Sequence, residues 1–144
     1  MIWADNLASA ILPGLRSPVP SVAVVLDTSA SMGTDEVTSA LSEIQGVLKI
    51  LGSPTTVLAT DAVVHNVQRI SSVKQIKVLG GGGTDMGVGI AEAAKLRPRP
   101  DVIIVVTDGY TPWPDRAAYG IKTVVATLGE KGPRWATTVN IKKD

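Results

Sequence analysis

From Val24 to Gly33 the chain reads VVLDTSASMG: an apolar run climbs to Asp27 and then breaks into Thr28, Ser29, Ala30 and Ser31. A carboxylate followed by hydroxyls at alternating positions suits a nucleophile, a helix cap or a metal ligand set. The alternation Asp27-x-Ser29-x-Ser31 lets one extended turn aim its side chains at a single point, because successive side chains of extended chain face opposite ways. Two other segments carry related chemistry. GGGGTD, Gly80 to Asp85, sets Thr84 at the mouth of a helix, behind glycines that let backbone approach closely. DVIIVVTDG, Asp101 to Gly109, is a second apolar run that ends on an aspartate, Asp108.

These segments supply carboxylates and hydroxyls, with no imidazole or thiol. The chain has no cysteine and its only histidine is His65, so neither a thiolate site nor a His-rich zinc site can be assembled. Any metal is therefore held by oxygen, which selects a hard cation. Mg²⁺ is expected, with Mn²⁺ or Ca²⁺ as substitutes; Mg²⁺ takes six oxygens at about 2.0–2.1 Å and usually only one or two carboxylates.

Bulk composition narrows the function further. The 144 residues suit one domain, and the formal charge of +1 with no basic run argues against a nucleic-acid partner. No stretch approaches the roughly 20 apolar residues of a membrane span. The opening segment carries Asp5 before any basic residue and is broken at Pro13-Gly14, a poor match to a signal peptide. A cytoplasmic protein without a membrane partner is expected. LPGLRSPVP reads as a linker. Residues 1–20 are thus expected to form an N-terminal extension and 21–144 the domain, as one module of a longer chain.

Elements must position these groups. Val22–Leu26 and the run after Asp101 are continuous apolar stretches ending in turn chemistry, as in strands buried on both faces. Val37, Leu41, Ile44, Leu48 and Leu51 recur at helical spacing behind Thr34, Asp35 and Glu36, and Gly52 with Pro54 ends that helix. Thr56–Ala59 and Val63–Val67 flank a turn at Asp61 and predict a hairpin. One helical turn is expected at Ser71–Ile76, and a helix from about Met86 to Leu96. Lys122–Leu128 predicts another parallel strand, and WATTVNIKK an edge strand. With only three Trp, two Tyr and no Phe, the core is built of Val, Ile, Leu and Ala. The pattern predicts a doubly wound, Rossmann-like three-layer α/β/α sandwich, its sheet mostly parallel with one antiparallel edge strand.

Asp27-Thr28-Ser29-Ala30-Ser31, Thr84 in its glycine-rich loop and Thr107-Asp108-Gly109 together resemble the metal-ion-dependent adhesion site of von Willebrand factor A (VWA) domains. The segment from Gly80 to Pro114 is similar to the VWA-like domain at the C-terminal end of a family of prokaryotic metallopeptidase-like proteins. The likeness spans about residues 18–144. It implies that Ser29 and Ser31 ligate the cation directly, that Thr84 does so directly or through water, and that Asp27 and Asp108 act through metal-bound water. One coordination position would be left for a Glu or Asp of a partner protein. It further implies a MoxR-type AAA+ ATPase, or the metallopeptidase-like region of a longer homologue, as that partner. The His-Glu-x-x-His motif of the protease half is absent, so peptidase activity is not carried over.

Plainer roles stand beside these. Thr84 could cap the helix near Met86 as well as bind metal, and Asp85 favours that helix's positive end. Asp61 is a turn former, and His65 is expected on an edge strand in a structural or solvated role. Tyr110 and Trp113 are partner-contact candidates beside Asp108, the alternative for Trp113 being a ring folded onto its own loop. The rival function is a Mg²⁺-dependent phosphotransferase or phosphatase of haloacid-dehalogenase type with Asp27 as nucleophile. Against it, Ser29 stands where such enzymes carry a second aspartate, and no lysine is placed for the phosphate.

Overall fold

The structure is a computed structural model and describes residues 21–27, 34–51, 55–60, 64–69 and 85–141. Its elements run β1 (Val22–Asp27), α1 (Thr34–Leu51), β2 (Thr55–Thr60), β3 (Val64–Arg69), α2 (Met86–Ala94), β4 (Val102–Thr107), β5 (Lys122–Thr127) and β6 (Thr137–Asn140). The strands form one sheet in the order β3-β2-β1-β4-β5-β6. All neighbours pair in parallel except β2 and β3, which are antiparallel. The expected doubly wound topology and its antiparallel edge are both present.

Strand alternation sorts the core onto two faces. Val22, Val24 and Leu26 of β1 join Ile104, Val106, Val124 and Ala126 against Val37, Leu41, Ile44 and Leu48 of α1. The helical stripe of the sequence is thus the buried face of α1; the side chain of Leu51 lies outside the described residues. On the opposite face Ala23, Val25, Leu58, Ile103, Val105 and Val125 pack with Met86, Ile90 and Ala93 of α2. β1 and β4 are buried at every position, which explains why they read as unbroken apolar runs. At their amino ends Asp101 clamps the pair: its carboxylate accepts from Ser21 N–H at 2.9 Å, and its own N–H donates to Ser21 C=O at 2.8 Å.

Between β4 and β5 the chain runs as a loop: residues 108–121 form no helix. Pro112 and Pro114 interrupt that stretch, and Trp113 and Ala118, joined by Trp135 and Ala136 from the β5–β6 connection, cover the α2-side core in a helix's place. The α2 helix stops at Ala94 rather than Leu96, turning at Lys95 ahead of Pro98 and Pro100. The expected turn at Ser71–Ile76 and the segment 1–20 lie outside the described residues.

Gly89 lets α2 sit this close to the sheet. A Cβ there would collide with Val25 Cγ1 and come within 2.9 Å of Thr60 Oγ1. Val25 is β-branched and fully buried, so it cannot swing aside. Gly89→Ala is therefore expected to destabilise the fold by about 1–3 kcal/mol despite the better helix propensity of alanine. A urea titration of the two proteins measures the difference.

Candidate metal centre

Strand order reverses between β1 and β4: the chain winds outward from β1 to β3 on one side and from β4 to β6 on the other. In open α/β sheets such a switch point leaves a crevice beyond the carboxyl ends of the strands, where ligands bind. Asp27 is the last residue of β1, and Asp108 follows the last residue of β4. β1 and β4 pair as far as Leu26 with Val106. The two aspartates singled out in the sequence thus flank the switch point. Ser29, Ser31 and Thr84 lie outside the described residues.

Asp27 has no exposed surface. Alternation turns it to the α2 face, two residues beyond Val25. A buried carboxylate is costly unless hydrogen-bonded. Thr107 Oγ1 donates to Asp27 Oδ2 at 2.6 Å, within the short range of a hydroxyl bonded to a carboxylate. Thr107 is one of a polar row on this face: Thr60, Asp27, Thr107 and Thr127 end β2, β1, β4 and β5 side by side, all buried.

The backbone beyond Thr107 is held by a paired turn. Gly109 N–H donates to Thr107 Oγ1 at 3.1 Å, and one strand over Gly129 N–H donates to Thr127 Oγ1 at 3.0 Å. Glu130 N–H donates to Asp108 C=O at 2.8 Å and joins the turns. Both glycines are needed for this approach. Gly109 has φ +88°, and a Cβ on it would strike the Glu130 carbonyl; one on Gly129 would lie 2.7 Å from the Asp108 carbonyl oxygen. The Asp108 carboxylate, half-buried, accepts from Tyr110 N–H at 3.1 Å.

The mouth of α2 is tied to the same loop. Asp85 is its N-cap, accepting from Gly87 N–H at 3.0 Å, while Met86 N–H donates to Thr111 Oγ1 at 3.0 Å. The cap is Asp85, and not Thr84 as one reading of the sequence had it. Threonine and aspartate both cap helices, and only the extended backbone of Asp85 decides between them. Tyr110 is 66% exposed, with its hydroxyl 3.4 Å from Glu130 Oε1. Trp113 is partly buried against the α2-side core, and Trp135 Nε1 donates to Pro114 C=O at 2.8 Å beside it.

In chemical terms the donor set suits a hard divalent ion: two carboxylates at neighbouring strand ends, in segments rich in hydroxyls and free of imidazole and thiol. The roles of Thr107, Thr127 and their glycines were not foreseen. Their signal was present, however, as Thr-x-Gly recurring after two Val-rich strands, at Thr107-Asp108-Gly109 and Thr127-Leu128-Gly129.

Comparison with known proteins agrees with this architecture. Residues 22–142 match the family described as VWA-like domain (DUF2201). The chain belongs to this family. An uncharacterized protein of Thermotoga maritima is 31% identical over 106 residues, covering 72% of this VWA-like chain and 26% of its own, so the chain spans about a quarter of that relative's length. Among solved structures, an aerotolerance-related membrane protein from Bacteroides fragilis, carrying multiple mutations to serines, matches with a TM-score of 0.58 at 19% identity. That match covers 75% of this chain and 67% of the other, and it carries the fold alone. VWA-like domains serve in general as protein-interaction modules and are generally non-catalytic. Among the described residues of this one, no helix is long and apolar enough to cross a membrane.

Gly109→Ala tests the paired turn. Its positive φ and the Glu130 backbone both oppose a side chain, so a loss of about 1–3 kcal/mol is expected, read as a lower thermal midpoint of the metal-free protein.

Proposed function

We propose that this VWA-like domain is a divalent-cation-dependent protein-binding module. Mg²⁺ is the expected ion, held by Ser29, Ser31 and Thr84, with Asp27 and Asp108 acting through water bound to it. The ion bridges to an Asp or Glu of a partner protein. The observation that carries this reading is the convergence of Asp27 and Asp108 on the switch point of the sheet. Two carboxylates balance a divalent charge, so a third one, arriving on a partner, is still attracted to the ion. A MoxR-type AAA+ ATPase and the metallopeptidase-like region of a longer homologue are the partners this reading favours. The exposed ring of Tyr110 offers the partner a contact at the rim. A cytoplasmic setting is part of the proposal.

Against the phosphotransferase alternative stand Ser29, where such enzymes carry a second aspartate, and the lack of a lysine placed for the phosphate.

The test is thermal unfolding of metal-free wild type and Asp108→Ala, each with and without millimolar Mg²⁺ or Mn²⁺. An ion at about 100 times its dissociation constant adds roughly 2.7 kcal/mol, or roughly 5–10 °C for a domain of this size. The rise is expected in wild type and not in the variant. An equal rise in both removes Asp108 from the site, and no rise in either, with an acidic peptide also present, counts against the module.

A further inference from the structure

A cation site gains from ligands that are oriented before the ion arrives. A carboxylate at a strand end can turn about two side-chain torsions unless its oxygens are bonded. Here its Oδ2 is taken by Thr107, whose own torsion is restricted twice over. Thr107 is β-branched and fully buried, and its oxygen also accepts the Gly109 N–H. A hydroxyl has one proton to give. Thr107 gives it to a side chain on another strand, 80 residues away in sequence. The same oxygen thereby joins the Asp27 carboxylate to the backbone turn that carries Asp108.

Thr127 supplies an internal comparison. It forms the same turn, with Gly129 N–H on its oxygen at 3.0 Å, yet its proton goes to the backbone carbonyl of Glu130 at 2.6 Å. Turn formation alone therefore accounts for a threonine at either position, but not for the bond to Asp27. We propose that Thr107 is a positioning residue of the cation site: it fixes the orientation of Asp27 and the course of the Asp108 turn in the metal-free protein. The inference rests on the cation-binding reading and adds to it a residue that does not itself touch the ion.

The experiment compares Mn²⁺ affinity, by calorimetric titration and Mn²⁺ EPR, for wild type, Thr107→Ser and Thr107→Val. Valine keeps the shape and removes the hydroxyl; serine keeps the hydroxyl. Loss of a partner that orients a metal ligand typically weakens affinity roughly 10–100-fold. That loss is expected for Thr107→Val, with wild-type affinity restored in Thr107→Ser. A merely structural threonine would lower the thermal midpoint of the metal-free valine variant and leave its Mn²⁺ affinity unmoved, which would overturn the inference but spare the site. No Mn²⁺ binding by wild type, alone or with an acidic peptide, would overturn both together. Should the valine variant not fold, amide exchange of Gly109 in wild type decides. Protection already present without Mg²⁺ supports a turn fixed in advance, and protection that arises only on adding Mg²⁺ overturns it.

Discussion

A carboxylate with no exposed surface, at the end of a central strand, constrains its whole neighbourhood. Asp27 needs hydrogen-bond donors, and one of them comes from β4, which ends beside it across the switch point. Thr107 supplies it at 2.6 Å. Its position is set by the β1–β4 register, which runs from Val22 with Val102 to Leu26 with Val106. A slip of one residue would turn every inward side chain of β4 to the other face and carry the hydroxyl away from the carboxylate. The apolar core and the polar bond therefore depend on the same register, and each makes the other more specific.

From Thr107 the constraint passes outward. Its oxygen holds Gly109, Gly109 abuts Glu130, and Glu130 is bonded both to Asp108 and to Thr127. The carboxyl ends of β1, β4 and β5 are thus tied through side chains and turns without any helix between β4 and β5. In place of that helix, Trp113 and Trp135 cover the core and brace the loop from behind. A loop supported in this way can present Asp108 and Tyr110 at a fixed height above the sheet. A mobile loop would have to be ordered on binding, at a cost in conformational entropy for every residue fixed.

Much of this was legible in the sequence because the main elements are locally determined. β1 and β4 are apolar at every position before their last residue, a pattern that a sheet covered on both faces produces. The α1 stripe of Val37, Leu41, Ile44 and Leu48 is as plain, and the hairpin follows from its turn residues. What could not be read was set by contacts distant in sequence. Thr107 and Asp27 are separated by 80 residues, so no window on the chain shows one as the other's donor. The packing of Trp113 depends on the loop that carries Trp135, and the cap at Asp85 rather than Thr84 depends on a backbone angle. Of the expected ligands, Asp27 and Asp108 could be followed into the fold because strands carry them; Ser29, Ser31 and Thr84 fall on segments outside the described residues.

The charge of the chain bears on how such a site would recognise anything. A net charge of +1 spread over 144 residues provides little long-range field to steer an acidic partner. Under the proposed function, selection must then occur at contact, where a divalent ion is the largest local charge and falls off within a Debye length of about 8 Å at physiological salt. A site of that kind gains from rigidity, since an ion displaced from its partner's carboxylate loses most of its pull. Under that proposal the buried threonine and the paired turns would make a short-range attraction depend on geometry.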